Sequence, residues 1–379
     1  PSVGYVYSLA VSPAPAGNLF AGTIGGVFLS TNNGTSWTAA NSGLANTDVG
    51  PLAVSGTNLF AGTSNGVFLS TNNGTSWTAA NTGLTNTYVL SLAVSPAPAG
   101  NFHAARMGGG VFCSTNNGTS WTAESSGLTN TAIEVLVVSG TNLFAGTYGG
   151  VFRSTNNGTS WTVANTGLTN TSVFTLAVSG TNLFAGTEGG GVFLSTNNGT
   201  SWAVAGLPNT FVRSFAVNGT NLFAGTDGWG VFLSTNNGTS WTAANTGLTN
   251  AKVSSLAVSG TNLFAGIIGS GVWRRPLAEM ITSVDRMPTD LPMQFGLSQN
   301  YPNPFNPSTR ISFNLPLQSV VLLNVFDALG REVAILVSEE LSAGTYSIQW
   351  DAGSLPGGVY FYRMQAGSFT ETKKLILLK

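Results

Sequence analysis

Short apolar runs separated by polar turns recur from the start of the sequence to about residue 275. In the second copy of the repeat, the runs are Leu52–Val54, Asn58–Gly62, Val67–Ser70 and Ser76–Ala80. Val, Leu, Phe and Trp suit the packed faces of strands, and the Gly-Thr-Asn and Asn-Asn-Gly segments between them are typical of hairpin turns. No segment shows a clear 3.6-residue period. The pattern therefore predicts four short β-strands in each repeat and an all-β fold.

The repeat begins seven times, and six copies contain the segment STNNGTSW. The first apolar run of each copy contains, in order, Leu9, Leu52, Leu92, Leu136, Leu176, Phe215 and Leu256. A four-stranded unit of about 40 residues has the size of a propeller blade, whereas the coils of a β-solenoid, the alternative, are usually shorter. The sequence thus predicts a seven-bladed β-propeller over residues 1–276.

The seventh copy stops after Val272-Trp273-Arg274, before a STNNGTSW turn or a fourth strand. The last blade is therefore predicted to be incomplete. The missing strand could come from Leu277 to Val284, from residues lost at the N-terminus, or from another molecule. An unpaired strand edge is a template for association, and a chain with few charges resists self-association weakly.

The STNNGTSW segment resembles the Asp-box turn of bacterial neuraminidases and related propellers, which reads S-x-D-x-G-x-T-W. Ser30, Gly34, Ser36 and Trp37 fit this pattern in the first copy, but an asparagine stands where the family has aspartate. Asparagine can form the same local bonds to the backbone. The resemblance implies a structural turn between the third and fourth strands and no chemistry; similar repeats occur in propellers like the photosystem II assembly factor. The six asparagines are Asn32, Asn72, Asn116, Asn156, Asn197 and Asn236.

The composition changes after Pro276, and residues 277–294 are predicted to form a linker that contains charges and two prolines. Residues 295–379 then contain six or seven alternating apolar segments divided by Gly and Pro turns. This pattern predicts a small Ig-like β-sandwich.

Three motifs of this sandwich follow one another in order: PNPFNP within Phe295–Pro316, VFDALGREV at Val325–Val333, and the final KKLILLK. Along its whole length the segment resembles the type A C-terminal sorting domain of the type IX secretion system. The resemblance implies that residues 295–379 engage that machinery and that the protein is exported to the outer-membrane surface or beyond in a Bacteroidetes-like bacterium. It also implies that the domain is often cleaved and the cargo fixed to the surface; a plain accessory β-sandwich is the alternative.

Charged residues make up only 7% of the chain and the net charge is −1. Without a basic patch to neutralise phosphates, nucleic acid is not an expected partner. The chain has one cysteine, Cys113, and one histidine, His103, so we expect no intramolecular disulfide, no His/Cys metal cluster and no cofactor. We interpret both as packing residues. No apolar run is long enough for a transmembrane helix, and the sequence opens without a signal peptide, which was removed or precedes the given residues.

Comparison of the repeats with one another shows two variable places, the start of the first strand and the connection between the second and third strands. In a four-stranded meander both places lie at the same end of the ring. Tyrosine and tryptophan there could stack on sugar rings or anchor a protein partner, although drift after recent duplication is the alternative. The predicted binding residues are Tyr5, Tyr7, Tyr88, Glu134, Tyr148, Phe174, Glu188, Phe211, Arg213, Asp227, Trp229 and Lys252.

We predict no catalytic residues. A sialidase-like site needs an arginine cluster, but Arg106, Arg153 and Arg213 occupy three different positions in their repeats. The carboxylates on the variable positions could form a pair, although scattered surface charges are the commoner explanation. The sequence therefore favours a non-catalytic surface protein used in adhesion or as a subunit of an extracellular assembly, for example a filament built by strand complementation. The alternatives are a carbohydrate- or protein-binding propeller and, more remotely, a sialidase-like hydrolase.

Overall fold

The computed structural model describes residues 4–13, 17–85, 88–95, 100–106, 108–245, 248, 251–280, 284–287, 294–353 and 355–378. The chain divides into two compact units, Pro1–Pro276 and Leu277–Lys379. Apart from one three-residue 3-10 helix, Leu277–Glu279, all regular elements in the described residues are β-strands, which confirms the predicted all-β class. No helix in these ranges is long and apolar enough to cross a membrane.

The first unit is a β-propeller, as predicted, in which each sheet is an antiparallel meander of sequence neighbours. The strands of its first four sheets are β1 (Val6–Val11), β2 (Leu19–Thr23), β3 (Gly26–Ser30), β4 (Thr38–Ala39), β5 (Val49–Ser55), β6 (Asn58–Thr63), β7 (Gly66–Ser70), β8 (Thr78–Ala79), β9 (Val89–Val94), β10 (Phe102–Arg106), β11 (Gly110–Ser114), β12 (Thr122–Ala123), β13 (Ile133–Ser139), β14 (Asn142–Thr147), β15 (Gly150–Ser154) and β16 (Thr162–Val163). The next three sheets contain β17 (Val173–Ser179), β18 (Asn182–Thr187), β19 (Gly191–Ser195), β20 (Ala203–Val204), β21 (Val212–Asn218), β22 (Asn221–Thr226), β23 (Val231–Ser234), β24 (Thr242–Ala243), β25 (Val253–Ser259), β26 (Asn262–Ile267) and β27 (Gly271–Pro276).

The apolar core of the propeller lies between successive sheets. The second strands are buried almost along their length, because neighbouring sheets cover both of their faces. In one such layer, Phe144 and Val151 of the fourth sheet pack with Val173 and Leu183 of the fifth. Stability is therefore distributed over a series of inter-blade contacts, as in other repeat proteins.

The seventh sheet has three strands among the described residues, in the order β25-β26-β27. One predicted source of its fourth strand was the segment from Leu277 to Val284. Leu277–Glu279 instead forms the 3-10 helix and does not supply that strand. The ring is nevertheless closed against the first sheet. The Leu9 amide donates to Ser255 Oγ at 2.9 Å, and Arg274 Nη1 donates to the Asn33 carbonyl at 2.7 Å.

The six STNNGTSW turns share one hydrogen-bond pattern. In the first, Asn32 Oδ1 accepts from the Ser30 hydroxyl and the Ser36 amide, and Asn32 Nδ2 donates to the Ser36 hydroxyl at 2.8 Å. Asn33 has a positive φ of 58°, which asparagine tolerates better than most residues. The asparagine therefore makes the local bonds to the backbone that the sequence predicts for it.

In five of the six turns, the final tryptophan links its blade to the preceding one. The indole of Trp77 donates to the Ala40 carbonyl at 2.7 Å, and that of Trp121 donates to the Ala80 carbonyl at 2.8 Å. Trp161, Trp202 and Trp241 form the corresponding bonds. Trp37 belongs to the first blade, which comes next after the three-stranded seventh sheet around the closed ring. It is only partly buried, and the described residues offer its indole no such acceptor. The first blade therefore lacks the tryptophan hydrogen bond that joins each of the next five blades to its predecessor.

The second unit is a β-sandwich of two four-stranded sheets with the orders β28-β33-β30-β29 and β32-β31-β34-β35. Phe313 and Ile348 from one sheet share a core with Val321 and Tyr362 from the other. The strands are β28 (Val284–Met287), β29 (Gly296–Leu297), β30 (Ser308–Leu315), β31 (Ser319–Asp327), β32 (Glu332–Leu341), β33 (Gly344–Asp351), β34 (Gly358–Ala366) and β35 (Phe369–Leu377).

Residues 277–294, expected to be a linker, contain strand β28, which pairs antiparallel with β33. The described residues thus give the sandwich eight strands rather than six or seven. Prolines and charges around this segment indicated a linker, but four residues in extended conformation are enough to add an edge strand to a sheet.

The PNPFNP motif holds the last strand of the sandwich in place. Phe305 is buried, its amide donates to the Ile376 carbonyl at 3.0 Å, and its carbonyl accepts from the Leu378 amide at 2.8 Å. Asn303 Oδ1 accepts from the Ile376 amide at 2.9 Å. The two motifs that mark this segment in the sequence, one near its start and one at its end, therefore meet in space.

Candidate functional site

A β-bulge interrupts the first strand of every propeller blade. In β1 the pairing with β2 jumps from Val6 to Ser8, so Tyr7 has no partner in the ladder. The same one-residue jump occurs in five other first strands, whereas in β5 the pairing jumps from Val49 to Leu52, and Gly50 stands at the position that corresponds to Tyr7. Because a bulge turns the extra side chain away from the regular alternation, it can present that residue to a neighbouring space. We call the seven bulged residues the bulge ring: Tyr7, Gly50, Leu90, Glu134, Phe174, Arg213 and Ser254.

All seven residues of the bulge ring line one cavity of about 440 Å³. Tyr88 and Asp48, which lie just before the first strands of their blades, also line it, together with Ser64 and Ile268 from connections between second and third strands. The two variable places found by comparing the repeats therefore converge on a single concave surface, which we call the variable face.

Aromatic and charged side chains form a continuous contact chain across blades four to seven. The ring of Phe174 packs edge-on against Tyr148 and Phe211, with centroid distances of 5.3 and 4.5 Å. The guanidinium of Arg213 lies 4.2 Å from the centroid of the Phe211 ring, a cation–π geometry. Through these contacts Tyr148 and Phe211 pack against Phe174 and Arg213, which line the cavity.

Arg213 and Asp227 form an ion pair on the variable face. Arg213 Nε and Nη2 donate to Asp227 Oδ2 at 2.9 and 2.6 Å, and Lys252 Nζ lies 3.3 Å from Asp227 Oδ1. Burial alone would raise the pKa of Asp227, but the hydrogen bonds and positive charges of Arg213 and Lys252 lower it overall. The aspartate is therefore ionised at neutral pH and holds Arg213 in place.

Other groups on this face have raised pKa values, among them Glu134 and Tyr7. Burial raises the pKa of Glu134, although the charge of Arg213 and a hydrogen bond from Tyr148 act in the opposite direction. Burial also raises the pKa of Tyr7, and the negative charge of Asp48 adds to this effect. The cavity wall thus carries both hydrogen-bonding groups and aromatic rings.

The structure brings together five of the predicted binding residues in the cavity wall, namely Tyr7, Tyr88, Glu134, Phe174 and Arg213. Four more, Tyr148, Phe211, Asp227 and Lys252, support them through the contacts above. Tyr5, Glu188 and Trp229 lie beside the first strands or on second-to-third connections without lining the cavity, and Trp229 is 65% exposed.

Sequence reasoning missed Gly50, Pro51 and Ser254, which line the cavity although they are small or apolar. It also missed the bulge that places them. A signal was present in the sequence, because the buried Val6 and the core-packed Leu9 are three positions apart, which a regular strand with period two does not allow.

The fold and this face define a β-propeller with a variable concave end, followed by a β-sandwich. Residues 299–378 match the family described as the secretion system C-terminal sorting domain. The chain is thus a propeller protein that carries a type IX sorting domain, which marks it as secreted or displayed at the outer-membrane surface of a Bacteroidetes bacterium. Comparison with curated protein sequences gives no match.

Solved structures similar to this chain are propeller proteins of low sequence identity. PorZ, a surface component of the type IX secretion system of Porphyromonas gingivalis, is 16% identical with a TM-score of 0.57; the match covers 98% of this chain and 59% of PorZ. YCF48 from Cyanidioschyzon merolae is 14% identical with a TM-score of 0.58, covering 73% of this chain and 96% of YCF48. The GH74 xyloglucanase from Xanthomonas campestris is 14% identical with a TM-score of 0.60, and the match covers 97% of this chain and 73% of the xyloglucanase. These similarities show the fold alone.

Proposed function

We propose that this chain is a non-catalytic binding protein of the bacterial surface that serves adhesion by holding a carbohydrate on its variable face. The observation that carries the proposal is the convergence of the seven bulged residues on one cavity of about 440 Å³. Ligand sites are typically clefts of about 300–1,000 Å³ with a few placed polar groups. Tyr7 and Tyr88 offer aromatic rings for stacking, and Asp48, Glu134 and Arg213 offer partners for hydroxyl groups.

The arginines support the non-catalytic part of the proposal. Arg213 is paired with Asp227, Arg106 stacks on Phe112, and Arg153 donates to the Asn198 carbonyl of the next blade. Each makes a separate set of contacts, so the three do not form the cluster that a sialidase-like site needs.

We expect the purified chain to bind one or more neutral or acidic oligosaccharides on a glycan array and by calorimetry. Tyr7→Ala and Tyr88→Ala should each weaken that binding about tenfold or more, because each removes an anchor ring from the cavity wall. Val204→Ala is the matched control, since this exposed valine lies on β20 at the outer edge of its sheet. A blank array, or affinities that do not change in the tyrosine variants, would refute carbohydrate binding at this face.

A second candidate function is that of a structural subunit in an extracellular assembly. It rests on the three-stranded seventh sheet. Among the described residues, its outer strand β27 has no fourth strand beside it, unlike the other six sheets, and the nearby Trp37 is only partly buried. We propose that a second copy of the chain supplies that strand by strand addition. With a net charge of −1, copies of the chain repel one another little.

This candidate predicts oligomers whose size grows with concentration in analytical ultracentrifugation. A synthetic peptide with the sequence of residues 76–85, which forms the fourth strand and the following turn in the second blade, should occupy the open edge and dissolve the oligomers. A peptide of the same composition in scrambled order is the control. A chain that stays monomeric at high concentration would exclude self-assembly and leave the carbohydrate proposal intact.

A further inference from the structure

Three residues that depart from the repeat occur together in the third blade. His103 stands where every other copy has phenylalanine, such as Phe60, and Glu124 stands where the other five complete copies have alanine, such as Ala80. Cys113 occupies a position that holds leucine or arginine elsewhere. The sequence alone gave no reason to connect these three, because they belong to different strands.

The fold places the three side chains against one another. His103 in β10 lies directly opposite Cys113 in β11, and Glu124 follows β12, which pairs with the other edge of β11. A ring nitrogen of His103, Cys113 Sγ and a carboxylate oxygen of Glu124 all lie within 4.8 Å of one another. His103 is 0% exposed and Cys113 is 3% exposed. It is the one group of this kind in the described residues that could hold a metal ion.

Two atoms of this cluster are buried without a hydrogen-bond partner, His103 Nδ1 and Glu124 Oε2. Leaving such groups unsatisfied is costly in a protein interior. Both lie beside Gly158 of the fourth blade, where a Cβ atom would come within 2.9 Å of Glu124 Oε2 and 3.7 Å of His103 Nδ1. The two unsatisfied atoms therefore lie on the same side of the cluster, next to the backbone of Gly158.

Ser95 holds the imidazole from its other side. Ser95 Oγ lies 3.1 Å from His103 Nε2, and when Nε2–H donates to this hydroxyl, Nδ1 keeps its lone pair. A hydrogen bond to the distal ring nitrogen is what usually orients a metal-binding histidine.

We propose that His103, Cys113 and Glu124 bind a divalent transition-metal ion of the zinc class between the third and fourth blades. Imidazole nitrogen, thiolate sulfur and carboxylate oxygen are the donors that Zn²⁺ takes in proteins. Bond lengths of about 2.0–2.3 Å in a tetrahedral arrangement separate the donors by about 3.3–3.8 Å, so the three side chains need to approach only slightly. On binding, the Cys113 thiol releases its proton to solvent as the metal–sulfur bond forms.

Cobalt(II) titration of the full chain, purified with chelator and kept under reductant, tests the proposal. We expect one equivalent to bind with a thiolate-to-cobalt charge-transfer band, and Zn²⁺ to displace it. Cys113→Leu, His103→Phe and Glu124→Ala each restore the residue found in other blades, so folding should be preserved while cobalt affinity falls about tenfold or more. Ser95→Ala should weaken binding about 10–100-fold.

Arg153→Leu is the matched control, because it makes the same restoration at the Cys113 position of the fourth blade and should leave cobalt binding unchanged. Should Cys113→Leu fail to fold, Cys113→Ser keeps a small polar side chain and must lose the charge-transfer band. Wild-type protein that binds no cobalt, or a band that survives in the cysteine variants, would overturn the assignment.

Discussion

Replacing Trp121 with alanine should lower the free energy of unfolding of the propeller by about 3–5 kcal/mol. The side chain is 3% exposed, and its indole donates to the Ala80 carbonyl of the preceding blade at 2.8 Å. The substitution thus opens a cavity between two blades and leaves a buried carbonyl without its donor. Urea denaturation followed by circular dichroism measures the loss.

The matched variant is Trp37→Ala, at the same position of the first blade. Trp37 is only partly buried, and its indole finds no acceptor in the described residues of the seventh blade. Its removal should cost about 1 kcal/mol, in line with ordinary partly exposed positions. Equal losses in the two variants would mean that the edge of the seventh blade is covered in solution, as strand addition by a second copy predicts.

Phe305→Ala in the sandwich should lower the free energy of unfolding by about as much as Trp121→Ala does in the propeller. It should also reduce export of the protein to the cell surface. The ring is 1% exposed and lies 5.8 Å from that of Trp350, so its removal should cost about 3–5 kcal/mol. Small domains are stable by only about 5–15 kcal/mol. We therefore expect a large fraction of the sorting domain to unfold and the amount of protein at the cell surface to fall severalfold.

Leu329→Ala is the control for this experiment, because Leu329 is 79% exposed in the turn after β31. It should leave both stability and surface display close to wild type. Immunoblots of cell-surface and periplasmic fractions compare the three chains. Normal display of Phe305→Ala at reduced stability would show that the machinery does not require a folded sandwich.

The architecture could be predicted from the sequence because each of its elements is repeated. Six copies of STNNGTSW fix the turn between the third and fourth strands, and alternation of apolar residues fixes the strands. The contents of the variable face could be predicted in part, since Tyr7, Glu134, Phe174 and Arg213 stand out as differences between copies. Their meeting in one cavity depends on the bulge, which the three-residue spacing of Val6 and Leu9 encodes only indirectly.

The cluster in the third blade shows what composition cannot predict. One histidine and one cysteine argued against a metal site, and the metal expectation was none. The third member, Glu124, carries no metal-site signal of its own, because a single glutamate after a strand is ordinary. Only the pairing of β10, β11 and β12 brings these residues together.

The bulge ring separates the variable face from the scaffold that carries it. A bulged residue takes no part in the backbone ladder, so its side chain can be exchanged while the strand keeps the register that its flanking residues set. Each blade thereby contributes one position that selection can alter without repacking its neighbours. Such a ring can change its side chains one blade at a time, and the same seven positions are where a protein engineer would randomise this chain to obtain binders.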